Sequence, residues 1–157
     1  MIVIADSSPL RYLILLDCSQ LLHQLYGRVV MPDEVAGELS SSGAPVQVRD
    51  WMATRPTWVD VVEASPEAVA TVTDDLDPGE RAAIALATTL SADLLLIDDA
   101  EGRQEARRRH LRITGTLGVL RTAAEQGLVD VPVVLARLKA TNFYVEDALL
   151  GGPPHRR

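Results

Sequence analysis

Two short runs of apolar residues limit the folds open to this chain more than any other feature. Residues 2–5 read Ile-Val-Ile-Ala and residues 94–97 read Leu-Leu-Leu-Ile, with no polar residue in either run. A strand with one face in water alternates apolar and polar residues, so both runs predict strands buried on both faces. Such strands occur in parallel sheets that helices cover on each side. The chain is therefore predicted to be one compact α/β domain.

Helical patterns separate the predicted strands, as connections in a parallel sheet require. The strongest helix starts at Asp77-Pro78-Gly79-Glu80 and extends to about Leu90. We place further strands at residues 28–31, 58–62 and 111–114. Further helices are predicted at residues 10–16, 21–26, 33–39, 100–110, 116–126 and 131–140, with a short one around residue 51 and another at 145–150.

Charge and cysteine content exclude several classes of function. The chain has 15 basic and 22 acidic residues, a net charge of −7, which argues against adhesion to nucleic acid over the whole surface. A local basic patch stays compatible with that charge. Cys18 is the only cysteine, which excludes an intrachain disulfide framework and a cysteine-based zinc site. No apolar run reaches membrane-spanning length, and no charged leader precedes one, so a cytoplasmic location without membrane contact is expected.

Both predicted buried strands end in acid, with Asp6 after the first and Asp98-Asp99 after the second. Parallel strands bring their carboxyl ends to one edge of the sheet, where the ligands of open α/β sheets bind. Simpler alternatives exist. Asp6 or Ser7 could cap the helix that follows, and one of the two later aspartates could start a helix.

Two glutamates extend this acidic set. Glu80 lies on the core-facing side of its predicted helix, three and four residues before Ala83 and Ile84, where an unpartnered acid is costly. The segment that starts at Asp77 is also a capping-box pattern, which explains the acid without any ligand. Glu38 flanks the apolar stripe of its own helix and could simply be solvated.

Carboxylates that converge at such an edge suit Mg²⁺ or Mn²⁺, hard cations that take oxygen ligands and keep bound waters. These ions can activate water and stabilise both oxygens of an in-line phosphodiester displacement. No pair of histidines or cysteines with ligand spacing competes with that assignment.

A basic helix begins just after the second acidic cluster. Arg103, Arg107 and His110 recur at helical spacing, and other arginines lie beside them. Such a cluster could hold phosphates on either side of a scissile bond. The alternative is a solvated helix face whose arginines near the carboxyl end are favoured by the helix dipole.

Three segments together resemble the PIN-domain nucleases: residues 4–10 (Ile-Ala-Asp-Ser-Ser-Pro-Leu), 76–86 (Leu-Asp-Pro-Gly-Glu-Arg-Ala-Ala-Ile-Ala-Leu) and 93–99 (Asp-Leu-Leu-Leu-Ile-Asp-Asp). Gly102-Arg103 and residues 114–120 are similar to a VapC-like prokaryotic branch of that family. The resemblance implies a three-layer α/β/α fold with a central parallel sheet of four to five strands. This nuclease domain would span residues 1–150, followed by a flexible tail at 151–157.

The resemblance also implies a function. Such domains are metal-dependent endoribonucleases that use Mg²⁺ (or Mn²⁺), and many are toxins that pair with an antitoxin protein and form homodimers. By position, the family's acids correspond to Asp6, Glu38, Glu80 and Asp99, which we expect to be catalytic. The expected metal ligands are Asp6, Glu80, Asp98 and Asp99, and the expected RNA contacts are Ser7, Arg103, Arg107 and Thr116.

Two further expectations follow. The alternative function is a catalytically weak or inactive PIN-like module that binds RNA or an antitoxin, and affinity for divalent ions would separate it from the nuclease. Self-association is expected through surplus apolar surface on the first two helices, at Leu13, Leu16, Leu21 and Leu25.

Overall fold

A computed structural model, which describes residues 1–141, contains one parallel sheet. Its strands are β1 (Val3–Ala5), β2 (Val29–Pro32), β3 (Val59–Val62), β4 (Leu94–Leu96) and β5 (Ile113–Thr114). They lie in the order β3-β2-β1-β4-β5, and every neighbouring pair is parallel. Each predicted strand is present within a few residues of its expected place.

Nine helices connect and follow these strands in the described residues. They are α1 (Ser7–Leu15), α2 (Gln20–Tyr26), α3 (Asp33–Ser40), α4 (Val46–Ala53), α5 (Pro66–Ala70), α6 (Pro78–Thr89), α7 (Ala100–Arg108), α8 (Thr116–Glu125) and α9 (Val131–Lys139). The predicted helices that fall within residues 1–141 are present, with ends shifted by a few residues at most.

Both faces of the sheet are buried, which explains why its central strands contain no polar residue. Val3 and Ala5 of β1 pack into one apolar core, which α1 to α4, α8 and α9 cover. Ile4, between them, packs into a second core with α5, α6 and α7. Successive side chains of a strand point to opposite faces, so an all-apolar strand needs a core on each side. The predicted three-layer α/β/α fold is confirmed.

The topology gathers several chain segments at one edge of the sheet. β1 and β4 are neighbours, with Ala5 opposite Leu96, so the residues that follow these two strands emerge side by side. The Asp6 N–H donates to the Leu96 carbonyl at 2.9 Å. A helix that connects parallel strands runs back along the sheet, so the amino end of α6 lies at the edge where the strands end.

The prediction of exposed apolar surface on the first two helices is wrong. Leu13, Leu16 and Leu21 are buried, and Leu25 packs against the same core. Helix α8 lies against both α1 and α2 and covers these leucines. The large apolar residues that are exposed in residues 1–141 are Met1, Ile2, Val46, Leu128, Val131, Val133 and Leu135.

The predicted helix at residues 145–150 and the predicted tail at 151–157 lie outside the described residues. Within residues 1–141, no helix has both the length and the apolar character needed to cross a membrane.

Candidate active site

Asp6 follows β1 directly, and its side chain is only 3% exposed. It occupies the N-cap position of α1, but its carboxylate makes no capping hydrogen bond. The capping alternative therefore does not account for this residue. Its Oδ1 atom is buried and has no hydrogen-bond partner. Leaving a buried acceptor unsatisfied costs about 1–3 kcal/mol, and more when it is charged, so this oxygen calls for an explanation.

Glu80 lies in the first turn of α6, where it completes a capping box. The Glu80 N–H donates to Asp77 Oδ1 at 2.8 Å, and the Asp77 N–H donates to Glu80 Oε1 at 3.2 Å. The capping alternative is thus correct for this residue, and the residue is also buried, at 8% exposed. Burial first, and then the charges of Asp77 and Asp99, raise the pKa of Glu80 to about 7.

Glu38 projects from the last part of α3 toward the amino ends of α1 and α6. Burial raises the pKa of Glu38, while hydrogen bonds from the Ser7 hydroxyl and the Gly79 N–H, and the charge of Arg11, lower it. A Cβ placed on Gly79 would lie 2.7 Å from Glu38 Oε1, so the carboxylate touches the backbone of α6. Glu38 is therefore not a freely solvated side chain.

The structure brings these acids together at the carboxyl edge of the sheet. Burial raises the pKa of Asp6 well above its ordinary value; the Ser7 N–H lowers it in part, and the charges of Glu80, Asp77 and Glu38 raise it further. Asp99 acts in the same way on Glu80. We call this set of five acids the acidic crevice. Like charges held this close destabilise one another, and a bound cation relieves that repulsion.

The acids of the crevice are close enough to interact but do not surround a single point. Among residues 1–141, no group of three or more histidine, cysteine or acidic side chains is arranged to hold one metal ion directly. The donor chemistry nevertheless fits Mg²⁺, which usually takes one or two carboxylates and keeps several waters. The unpartnered Asp6 Oδ1 is the oxygen that such an ion would satisfy.

Asp98 and Asp99 are adjacent in the chain but have different surroundings. Asp99 is the N-cap of α7: its Oδ2 accepts hydrogen bonds from the N–H groups of Glu101 and Gly102, at 3.0 and 3.1 Å. The prediction that one aspartate of the pair starts a helix is correct. The Oδ1 atom of Asp99 has no hydrogen bond within the described part of the chain.

Both carboxylate oxygens of Asp98 are occupied by donors from the protein. Oδ1 accepts from the Thr116 N–H at 2.7 Å, and Oδ2 accepts from the Thr116 hydroxyl at 2.7 Å and the Ser8 hydroxyl at 2.8 Å. The carboxylate thereby joins the end of β4 to the first turns of α1 and α8. These bonds give Asp98 a structural task, and they lend no support to its predicted role as a metal ligand.

Comparison with known proteins identifies the family. A family model described as DUF3368: PIN domain matches residues 2–152. The chain belongs to this PIN-domain family. PIN domains are generally nucleases and typically use divalent metal ions.

One solved structure with this PIN domain's fold is a PilT N-terminus domain protein from the hyperthermophilic archaeon Sulfolobus solfataricus P2. The two match with a TM-score of 0.57 and 17% identity, over 80% of this chain and 95% of the other. A likeness at that identity supports the fold and no finer statement. A search of curated proteins finds no match.

The residues predicted to contact RNA in this PIN domain differ in how accessible they are. Thr116 is wholly buried and donates both its groups to Asp98, so it has no surface to offer RNA and its prediction is not supported. The Ser7 side chain lies near Glu38 and lowers the pKa of that carboxyl group. Arg103 is partly buried and donates from Nη1 to the Ile97 carbonyl at 2.9 Å. Arg107 is exposed on α7.

Three residues at the crevice of the PIN domain were not predicted from the sequence. Asp77 was recognised as a cap, but its charge on the crevice depends on how α6 is placed. Gly79 looked like an ordinary residue of a helix start, and only the approach of Glu38 shows why it lacks a side chain. Arg11 acts on Glu38 across the crevice, and the available signal was its position four residues after Ser7, on the same side of a helix.

Proposed function

We propose that this protein is an endoribonuclease that hydrolyses RNA phosphodiester bonds with Mg²⁺ or Mn²⁺. The observation that carries the proposal is Asp6, a buried carboxylate with an unpartnered oxygen, close to Glu80, Asp77 and Glu38 at the ligand-binding edge of a PIN fold. A structural carboxylate would be paired with a donor, whereas this one is crowded by like charge. That pattern is typical of a site that binds a cation.

The residues of the crevice divide into distinct tasks in this proposal. Asp6 and Asp99 would hold the ion, which when bound supplies an activated water and offsets the charge of the phosphate. Glu80 is suited to accept a proton at Oε2, because its pKa of about 7 is near the working pH and its Oε1 is already bonded to Asp77. Ser7 keeps Glu38 turned toward the crevice.

We further propose that the protein is the toxin of a toxin–antitoxin pair and acts on cytoplasmic RNA. The segments around Gly102-Arg103 and residues 114–120, which are similar to the VapC-like branch, support this assignment. A homodimer belongs to the same proposal. A surface available for a second copy or an antitoxin is the groove between α8 and α9, where Val131 and Leu135 are exposed beside a cavity of about 240 Å³.

A second candidate function is a PIN-like binding module with weak or no catalysis. One observation favours it, since no three potential ligands in residues 1–141 are arranged around one point. Such a module has no use for a divalent ion, so its affinity for Mn²⁺ should be no higher than that of any acidic surface.

Digestion of single-stranded RNAs of defined sequence tests the proposal. We expect internal cleavage with Mg²⁺ or Mn²⁺, and none with EDTA, because no ion is then present to activate the attacking water. Mn²⁺ binding measured by electron paramagnetic resonance on the same preparation gives a second readout. Saturable Mn²⁺ binding without cleavage of any RNA would favour a binding module that keeps a vestigial metal site. Absence of both Mn²⁺ binding and RNA cleavage would reject the nuclease proposal.

A variant at Gly79 tests whether the position of Glu38 matters for cleavage. In Gly79→Ala the new methyl group would lie within 3 Å of the Glu38 carboxylate, which must swing away. We expect RNA cleavage to fall by about tenfold or more, while stability is kept or rises by up to about 1 kcal/mol, because alanine favours a helix over glycine. Cleavage rates and thermal unfolding are measured on the same protein.

Gly37→Ala is the matched control, because Gly37 lies in α3 and no atom is within 4 Å of the added methyl group. It should gain similar stability with unchanged cleavage. If Gly79→Ala cleaves RNA as fast as Gly37→Ala, the location of Glu38 is unimportant for the reaction.

A further inference from the structure

An RNA phosphate meets an electrostatic obstacle at the acidic crevice. Five carboxylates lie at the edge of the sheet where it would bind, and the chain as a whole carries a net charge of −7. A single divalent ion offsets only part of that negative charge. Substrate binding therefore needs a cationic side chain beside the acids, close enough to hold a phosphate but not spent on an ion pair.

Arg11 lies where such a group is needed. It is one helical turn beyond Ser7 on α1, so both side chains lie on the same face, roughly 6 Å apart along the axis. The Ser7 side chain and the positive charge of Arg11 both lower the pKa of Glu38, so both side chains lie near that carboxylate. The guanidinium is thus at the side of the crevice that α1 forms.

The guanidinium of Arg11 is held in place without being neutralised. It lies over the ring of Tyr12, 4.8 Å from the centroid, and its Nη2 donates to the Tyr12 hydroxyl at 3.2 Å. Its Nε has no hydrogen-bond partner. Within residues 1–141, the arginines that form ion pairs are Arg28, with Asp60, and Arg108 and Arg109, with Glu105. Arg11 forms no ion pair with any carboxylate of these described residues.

We propose that Arg11 binds a phosphate of the RNA backbone next to the scissile bond. The inference rests on the proposed function, since it takes the acidic crevice as the place of cleavage. Tyr12 restrains the side chain and so reduces the conformational entropy lost on binding, and a planar guanidinium can donate to two oxygens of one phosphate. Arg103 is less suited to this task because its Nη1 is committed to a backbone carbonyl.

Binding and cleavage of a short single-stranded RNA test the assignment in four proteins: the parent, Arg11→Gln, Arg11→Lys and Arg28→Gln. Arg28→Gln removes the same charge at the start of β2, at the opposite edge of the sheet. Fluorescence anisotropy in EDTA measures binding without cleavage. We expect Arg11→Gln to raise Kd, and KM in Mn²⁺, by about tenfold with kcat little changed. The slope of log Kd against log salt should become shallower by about 0.7, the change for one phosphate contact on a single strand.

The remaining variants separate phosphate binding from a structural task. Arg11→Lys keeps the charge but not the planar group, so it should recover part of the affinity; a purely structural stacking role predicts that lysine is no better than glutamine. Thermal unfolding verifies that each variant is folded.

If Arg11→Gln and Arg28→Gln bind RNA equally well, the inference is overturned while the nuclease proposal stands. If the parent binds RNA through Arg11 but cleaves none, the nuclease proposal fails, and only the phosphate contact of Arg11 is supported, without a scissile bond beside it. If the parent protein binds no RNA, both the nuclease proposal and the Arg11 assignment are rejected.

Discussion

Replacing Asp98 with alanine is expected to lower the free energy of unfolding by about 2–4 kcal/mol, which corresponds to a fall in Tm of roughly 10 °C for a chain of this length. The change removes the acceptor of three hydrogen bonds. It leaves the N–H and hydroxyl of Thr116 unpaired in a place where that residue is wholly buried. The end of β4 also loses its attachment to α1 and α8. Thermal and urea unfolding in EDTA measure the loss without any contribution from metal.

Asp98→Asn and Asp60→Ala are the controls for this prediction. Asparagine keeps an oxygen for the Thr116 N–H and has the same shape, so it should cost much less, on the order of 1 kcal/mol. Asp60 is also an aspartate in an ion pair, but it is exposed with Arg28, and its loss should change stability by less than about 1 kcal/mol. Should Asp98→Ala keep its stability in EDTA and lose Mn²⁺ affinity instead, Asp98 is a metal ligand, as the family resemblance implied.

The sheet could be predicted because its signals are local in the sequence. An apolar run that ends in acid carries its own evidence for a buried strand, and a parallel sheet then places Asp6, Asp98 and Asp99 at the same edge without knowledge of any loop. Glu80 was predictable for a similar reason, since helical spacing alone puts it on the buried side of α6.

The remaining features depend on contacts between segments far apart in the chain. Asp98 and Asp99 look equivalent in sequence, and they differ because Thr116, 18 residues later, takes both oxygens of the first. Leu13 and Leu16 were predicted to be exposed because nothing near them in sequence covers them, whereas α8 does so from about a hundred residues away. The interaction of Arg11 with Glu38 also depends on residues far apart in the chain, because it exists only after α1 and α3 pack together.

Asp6→Asn should have opposite effects on activity and on metal-free stability. We expect RNA cleavage to fall by at least about 100-fold, because the change removes the charge of a proposed metal ligand while keeping the shape of the side chain. In EDTA at pH 7, the variant should be as stable as the parent or more stable by about 1 kcal/mol. The parent must either bury a charge beside Glu80, Asp77 and Glu38 or take up a proton, and the amide needs neither.

The pH dependence of that stability difference identifies its cause. The pKa of Asp6 is raised in the folded state, so the unfavourable contribution of the parent's carboxylate is present above the ordinary aspartate pKa and disappears as pH falls toward it, where the group is neutral in both states. Any advantage of Asp6→Asn in EDTA should therefore shrink between pH 7 and pH 4. Added Mn²⁺ should stabilise the parent more than the variant, because only the parent keeps the charge of every proposed ligand. A variant that unfolds far more easily than the parent in EDTA would make Asp6 a structural residue of α1, and one that cleaves RNA at the parent's rate would remove it from the reaction.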